Sequence, residues 1–559
     1  MDDLPCAQVG DYMYEYGQDG PYPPVHDAVR WHGLQPPTET ISLSDYRLRH
    51  ALHRTDPDLQ LLSAAAPLIA IWDDHEIAND PWVGGAQDHN EGEGDWWVRK
   101  RAAVRAYHEW MPTRTPVPPT CTGEADVECA GSHEGEHIYR HFRFGSLAAL
   151  YVLETRLLAR SEQAQLDASS QVEAIVGASP PEEWASDAAL MEALVRLNSS
   201  WHASRDSNDR SLLGAEQLAW LRAAMASSSD ATWQLLGQQI IVQPRRPMDL
   251  RLAASQRAAR DPAKAAAWQE LIDTLSAAPR DDGTTSRQTV TWYGGNAASA
   301  ALYGRSVSLV PKMRAQARSL LARAAFGLND DFDGWDGYPA ARRRLLEVLR
   351  EAGEPSGGRV AVYAGDSHAA WAGRLTTDDG AHVALEFDGT SVTCSGIDSW
   401  IPFLPPELVA AAYVDATPTL EYASTDTRGW MAVTLTPQAH KVAYMTVSTI
   451  GTRDNFSAAC DAAFVQRAHA PDELRRVPCA DVVALSDVKR QLGTYLDAAT
   501  HNEPPADGSR GGASVGMTLL AGVVLGSLLT SGGYATCKRM RRWHRPHFFA
   551  GRLQEMTGC

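Results

Sequence analysis

Asp73-Asp74-His75-Glu76 puts three carboxylates and an imidazole into four residues, at the end of an apolar run from Pro67 to Trp72. A buried strand that stops on such a cluster must bring its charges to cations, donors or water, because an unpaired carboxylate is very costly to bury. Two other apolar runs end in the same way: Gln8-Val9-Gly10-Asp11-Tyr12-Met13-Tyr14, and Val360-Ala361-Val362-Tyr363-Ala364-Gly365-Asp366-Ser367-His368. Three strand ends carrying Asp, His and Tyr point to one metal-binding cleft at the carboxyl edge of a sheet. In open α/β sheets that edge is where ligands bind.

Asp11 and Tyr14 lie three residues apart just past their run; oxygen donors suit a hard cation, and a phenolate suits ferric iron. Asp74 offers a second oxygen ligand and leaves His75 for proton transfer or for stabilising developing charge. Asp366 and His368 are placed to serve two metals. Two ions about 3.5–4 Å apart clamp the oxygens of an in-line phosphoryl displacement and generate a hydroxide nucleophile. Arg156, at the end of the Leu147–Leu153 run, is placed to hold a phosphoryl oxygen through a bidentate pair. Each feature also has a plain structural explanation. Asp11 and Tyr14 could form a turn, Asp366-Ser367-His368 could cap a helix, and Arg156 could sit in a surface ion pair. The acidic run Asp88 to Asp95 reads as a solvated loop rather than a calcium site, and His26 and His32 have no assigned role.

The elements that must position these groups follow from periodicity and punctuation. Ser44 to Leu61 reads as a helix with Ser44 as N-cap, and Trp96 to Trp110 as an amphipathic helix closed by Pro112. Ile138, Arg140 and Phe142 alternate before the solid run Leu147–Leu153, which predicts a hairpin over His137–Thr155. Gln163 to Asn208 is Ala-, Ser- and Glu-rich and reads as a helical insertion. Helices are expected over Gly214–Met225 and Pro339–Ala352. Strands are expected over Trp233–Val242, Arg359–Tyr363, His382–Phe387, Trp430–Leu435 and Lys441–Val447. Strands alternating with helices and then joined by hairpins indicate a layered α/β sandwich rather than a barrel.

The chain has 559 residues, 44% apolar with 17 Trp, which is ample material for a large core. Its net charge of −18 excludes a nucleic acid as a regulatory partner, since no basic surplus exists to displace counterions. From Ala513 to Cys537 no residue is charged, and Lys538, Arg539, Arg541 and Arg542 follow at once. That pattern predicts a transmembrane helix over 513–537 across a hydrocarbon core of ~30 Å, with 538–559 a short cytosolic tail. Residues 502–512 read as a linker and 456–501 as a carboxy-terminal extension. Gly522 and Gly526 form a GxxxG pair for helix packing. The bulk of the chain is then expected outside the cytosol or in a lumen. Local disulfides Cys121/Cys129 and Cys460/Cys479 would suit that compartment, as would acceptor triplets at Asn198 and Asn455. Met1 to Pro5 has neither the basic start nor the apolar stretch of a leader, so the expectation is a shortened ectoprotein rather than a tail-anchored one.

A series of motifs resembles the PhoD-type alkaline phosphatases of the calcineurin-like metallophosphoesterase superfamily, from about Val9 to Ile450. They are Gly10-Asp11-Tyr12-Met13-Tyr14-Glu15-Tyr16-Gly17, Asp45-Tyr46-Arg47, Trp72-Asp73-Asp74-His75-Glu76, Leu153-Glu154-Thr155-Arg156, Leu236-Gly237-Gln238-Gln239, Trp335-Asp336-Gly337-Tyr338-Pro339 and Gly365-Asp366-Ser367-His368. The resemblance implies an αββα metallophosphoesterase sandwich. It also implies iron and calcium as cofactors, small phosphate mono- and diesters as substrates, and hydrolysis by a metal-activated hydroxide. On this pattern Asp11 bridges the metals, Tyr14 binds the iron, and Asp74, Asp366 and His368 are further ligands. Asn79 joins the metal shell, His75 is the acid or charge stabiliser, and Arg156 assists catalysis. The family also has an amino-terminal β-domain and a strand bearing a cysteine ligand ahead of Gly-Asp-Tyr. Cys6, five residues before Asp11, is too close to replace that strand. A usual Leu-Asp-Thr-Arg is here Leu153-Glu154-Thr155-Arg156. The alternative implied by the missing ligand is a degenerate phosphatase that serves as a surface binding protein. Otherwise a membrane-tethered ectoenzyme that scavenges phosphate is expected.

Overall fold

The computed structural model describes residues 6–18, 20, 33–113, 135–163, 168–177, 179–277, 289–290, 307–308, 311–328, 332–451, 456–483 and 517–521. Two seven-stranded sheets dominate them. The first runs Ala470–Val477, Ala458–Arg467, Ala439–Val447, Arg428–Leu435, Met517–Ala521, Cys6–Gln8, Leu68–Ala70. The second runs Leu420–Ser424, Ala370–Thr376, His382–Asp388, Val360–Ala364, Trp233–Gly237, Ala148–Val152, Arg140–Phe144. Alternation along each strand decides what it meets. Ala148, Leu150, Val152, Ala361 and Tyr363 point into a core shared with Val433, Val442 and Phe464 of the first sheet. Ala149, Tyr151, Val360 and Val362 point the other way, into a core closed by helices Gly214–Ser227 and Pro339–Gly353. The architecture is therefore mixed α/β, with stacked sheets and helices on the outer face of the second.

Helices Leu43–His53 and Trp96–Trp110 pack around Ile71 and Trp72, next to the Leu68–Ala70 edge. The first of them differs from its expected form. The chain breaks at residues 54–56, and a separate helix Pro57–Ala65 begins under the Asp56 cap. Proline is tolerated at a first turn but not inside a helix, so Pro57 restarts rather than continues it. The cap is Ser42, in a reciprocal box with Asp45, not Ser44. The 163–208 segment forms helices Ala168–Val176, Pro181–Trp184 and Ala188–Arg205. Leu194, Trp201 and Val176 share an apolar core with helices Pro262–Ser276, Pro311–Phe326 and Pro406–Ala416.

The carboxy-terminal part departs most from expectation. Residues 458–477 supply two strands to the first sheet, and Cys460 and Cys479 form the expected disulfide. Cys121, Cys129, Asn455 and the 502–512 linker lie outside the described residues. No helix among the described residues is long and apolar enough to cross a membrane. Of the 513–537 span only Met517–Ala521 is described, and it is a strand, parallel to Cys6–Gln8 and antiparallel to Arg428–Leu435. A short apolar run in the middle of a sheet has the same composition as part of a buried helix, and periodicity cannot separate the two.

His440 is a titration point in the core between the sheets. It is fully buried, 3.0 Å from the Gln466 amide oxygen through Nδ1 and 2.6 Å from the Tyr363 hydroxyl through Nε2. The amide oxygen can only accept, so Nδ1 carries the proton and Nε2 accepts from Tyr363. Burial lowers its pKa to about 4, against the upward pull of the Gln466 bond. The neutral ring therefore contributes stability that is complete above the unfolded value near 6.5 and lost as pH falls through about 4. The loss between pH 7 and 4 from this group is on the order of 3 kcal/mol. His440→Gln, which keeps a donor and an acceptor but does not titrate, should lose correspondingly less over that range in urea unfolding. Equal losses in the two proteins would contradict this assignment.

Candidate metal centre

Two sets of parallel strands, a pair and a trio, open onto the cleft. Cys6–Gln8 and Leu68–Ala70 pair in register and lead to Asp11 and to Asp73-Asp74. Ala148–Val152 and Val360–Ala364 flank Trp233–Gly237, all parallel, and lead to Arg156 and Asp366. Among the described residues, four that are not glycine have left-handed backbone: Asp11 (φ 55°), Asp80 (49°), Asp366 (62°) and His368 (53°). Three of them are sequence-predicted ligands. Such conformations persist where the surroundings over-determine them, and they cluster at functional sites. Gly10 makes the first of these turns possible. Its φ is 126°, and a Cβ there would lie 2.2 Å from the Asp73 Cβ, so any side chain would push the two ligand loops apart.

The side chains of Asp11, Tyr14 and His368 converge. The Tyr14 hydroxyl lies 2.9 Å from Asp11 Oδ2 and 2.9 Å from His368 Nε2, and that nitrogen is 3.3 Å from Asp11 Oδ2. His368 Nδ1 faces the Ser395 carbonyl at 2.5 Å and must donate to it, which directs the Nε2 lone pair into the cleft. The loop bearing Tyr14 is held from behind by Arg49, a buried guanidinium that donates to the carbonyls of Tyr14, Tyr16, Gln35, Pro36 and Thr38.

His75 is brought beside this group. Its ring lies against Tyr14 at 4.1 Å between centroids, tilted by 33°, Nδ1 lies 2.8 Å from Glu15 Oε2, and Nε2 is 3.9 Å from Asp74 Oδ2. Burial would lower its pKa, but Asp74, Glu15 and Asp11 outweigh that and hold it well above the ordinary histidine value. Glu15, fully buried, also accepts the Asn79 N–H at 2.6 Å. Asn79 thus enters through its backbone, while its side-chain amide donates to Gln87. Glu76 accepts from the backbone N–H groups of Asp11, Tyr12 and Asp73, so it ties loops together and is no free acid.

Arg156 does not take the place expected for a phosphoryl clamp. It is fully buried, with Nε on Asp73, Nη1 on Asp333 and Nη2 on Asp366, the last two at 2.6 Å. Its forked donors are consumed by three carboxylates, which leaves it a positioning role. Burial would lower its pKa, but Asp333, Asp73, Asp74 and Asp366 hold it far above its usual range. Arg160, beside it, also pairs with Asp333. Glu154 takes the backbone N–H groups of Arg156, Leu157 and Leu158 and the Trp72 indole, which fixes the turn that presents Arg156. Sequence reasoning missed Glu15 and Asp333. The first lies inside the Gly10–Gly17 motif, and the second in an aspartate-rich run before Trp335; both spots were legible as clusters.

The donor set fits cations. Asp11 Oδ1 and Asp74 Oδ1 are buried without a hydrogen-bond partner among the described residues. Donor atoms of Asp11, Asp74 and His75 come within 4.8 Å of one another, as do those of Asp73, Asp74 and Asp366. Burial, with repulsion from Asp333, Asp74 and Asp11, pushes Asp366 up to about 7 even though Arg156 opposes the rise. Facing carboxylates in a dry cleft need positive charge beyond that of Arg156.

A family model described as PhoD-like phosphatase matches residues 6–444. The chain belongs to that family. Alkaline phosphatase D of Bacillus subtilis (strain 168) is 27% identical over 459 residues, which are 80% of this chain. The chain spans 56% of that relative's length. A solved structure titled "Structure of PhoD" superposes with a TM-score of 0.51 at 23% identity, over 89% of this chain and 72% of that one. It supports the PhoD-like fold.

Within this PhoD-like cleft, Arg156→Met should cost about 3–5 kcal/mol in urea unfolding, because it strands buried carboxylates. A variant within about 1 kcal/mol of the parent protein would contradict the positioning role.

Proposed function

We propose that the chain hydrolyses phosphate mono- and diesters in a metal-dependent reaction at this cleft. The observation that carries the reading is the convergence of Asp11, Tyr14, Asp74, Asp366 and His368 from the ends of both sheets, three of them in left-handed backbone. These five residues would hold the cations, and the mixed phenolate, imidazole and carboxylate set suits iron with calcium. Bound cations would neutralise the phosphoryl oxygens and lower the pKa of a water molecule.

The protein's own groups do the rest. His75, oriented by Glu15 and packed against Tyr14, presents Nε2 to the cleft, where it donates a proton or a hydrogen bond to an ester oxygen. Arg156 keeps Asp73, Asp333 and Asp366 in place. With a net charge of −18, the chain needs the cations to draw an anionic substrate into the cleft. A location in an oxidising compartment is part of the proposal, and the Cys460–Cys479 disulfide supports it. Scavenging of phosphate from dissolved esters would suit such a place.

Hydrolysis of p-nitrophenyl phosphate at alkaline pH, with iron and calcium supplied, tests the reading. Asp74→Asn and His75→Ala should each lower kcat by roughly a hundredfold or more while circular dichroism stays unchanged. Near-parental turnover in both variants would refute the reading. A parent protein that binds phosphate esters without turning them over would favour a binding role instead.

A further inference from the structure

Three large apolar side chains are exposed among the described residues: Leu48, Val195 and Trp400. Single exposed apolar residues are ordinary on a protein surface, and Leu48 and Val195 sit on the Leu43–His53 and Ala188–Arg205 helices. Trp400 is set apart by its place. Its indole lies 6.0 Å from the His368 ring, centroid to centroid, with 35° between the planes. His368 is 5% exposed and Trp400 48%, so the two rings lead from the buried floor of the cleft to its mouth. The segment that carries Trp400 is fixed. Ile397, Ile401 and Phe403 are buried in the core shared with the Pro406–Ala416 helix. Asp398 accepts from Arg428 at 2.7 Å, and Ser399 Oγ donates to the Gly396 carbonyl at 2.7 Å. The same turn touches His368 directly: the Ser395 carbonyl accepts from Nδ1, and a Cβ at Gly396 would lie 2.7 Å from the His368 carbonyl oxygen. One stretch, residues 395–400, thus orients a cleft imidazole and holds a large aromatic face exposed beside it.

We propose that Trp400 is a specificity residue that stacks on the ester substituent, so that the cleft favours phosphate esters whose alcohol carries a flat aromatic ring. The inference rests on the hydrolytic reading of the cleft and adds the class of substrate. A phosphoryl group beside Asp11, Tyr14 and His368 cannot send its substituent inward, because the floor is filled by Arg156 and its aspartates. The substituent points to the mouth, and on the His368 side the mouth is walled by the Trp400 ring. An indole face takes a second ring by offset stacking and removes apolar area of both from water. Such stacking is indifferent to which flat ring is presented. A hydroxylated aliphatic substituent, such as glycerol, has no face of this kind to offer. The stack lies away from the bond that breaks and is the same in ground and transition states, so it acts on KM rather than on kcat. Because the 395–400 stretch is already fixed, little freedom is lost when the ring is engaged.

The test compares phenyl phosphate with glycerol phosphate, iron and calcium being supplied, in the parent protein, Trp400→Ala, Trp400→Phe and Val195→Ala. Trp400→Ala should lower the ratio of kcat/KM for the phenyl ester over the glycerol ester by roughly tenfold, through KM for the phenyl ester. Trp400→Phe keeps a ring and should keep most of the ratio, and Val195→Ala should keep all of it. An unchanged ratio in Trp400→Ala, or a loss that falls on kcat, overturns the inference and leaves the hydrolytic reading standing. Equilibrium binding of phenylphosphonate and methylphosphonate, which carry no ester bond to hydrolyse, gives a readout that needs neither turnover nor a variant. The parent protein should bind the phenyl compound about tenfold more tightly, and equal affinities would overturn the inference. A phenyl preference in binding that Trp400→Ala abolishes, with no turnover of either ester, keeps the role of Trp400 and removes the hydrolytic reading. A parent protein that binds neither phosphonate and hydrolyses neither ester overturns both.

Discussion

One buried guanidinium holds the cleft together. Arg156 reaches Asp73 from the end of the first sheet, Asp366 from the end of the second, and Asp333 from the segment that leads into Trp335. Each carboxylate arrives on a different stretch of chain, so the arginine joins both sheets at the point where their strands stop. Breaking such a contact is far more costly than a surface ion pair, because each partner would be left charged in a dry environment. Asp366 and the neighbour of Asp74 can face the cleft in fixed positions only because this cation lies beneath them. Glu154, Arg160 and Gln239 form the frame around it. Gln239 bonds the Trp72 and Leu153 carbonyls and accepts from Thr155.

Above this floor the balance of charge is reversed. Asp11, Asp74, Glu15 and Asp366 outnumber the cationic groups beside them: His75 faces Asp74 and Glu15, His368 faces Asp11, and Arg156 reaches Asp366 from below. The cleft is thus built in two levels: a level neutralised internally by arginine, and an upper level that remains acidic. That division separates groups that fix shape from groups that remain for ions, although both levels are made from the same residue types.

Much of this arrangement was legible in the chain itself. The three apolar runs stopping at Asp11, Asp73-Asp74 and Asp366 became strand ends facing one cleft, because a run that ends in charges has few other places to go. Trp96–Trp110 and Pro339–Gly353 appeared with nearly their expected limits, set by an Asp95 cap and by a proline at the first turn. The acidic run 88–95 is the largely exposed loop its composition implied, pinned at three points: Tyr16 to Asp88, Arg99 to Glu93 and the Asp95 cap. What did not show was direction. Residue type cannot tell whether Arg156 points outward to a substrate or inward to three aspartates, since that depends on long-range pairing. The same limit hid Glu15 behind His75. It also hid the strand character of Met517–Ala521, whose neighbours Cys6–Gln8 and Arg428–Leu435 are remote in sequence.

The left-handed backbone at Asp11, Asp366 and His368 also affects how the cleft can be dissected. Aspartate, asparagine and histidine tolerate that conformation far better than alanine, which pays on the order of 1 kcal/mol or more to stay there. Alanine scanning would therefore mix two losses at these positions, the donor atom and the turn that carries it. At Asp11 and Asp366, asparagine removes the charge and leaves the turn close to its present shape. At His368 asparagine is also the substitution that separates chemistry from conformation. Asp74 and His75, whose backbone carries no such strain, are the positions where an ordinary truncation reports on the side chain alone.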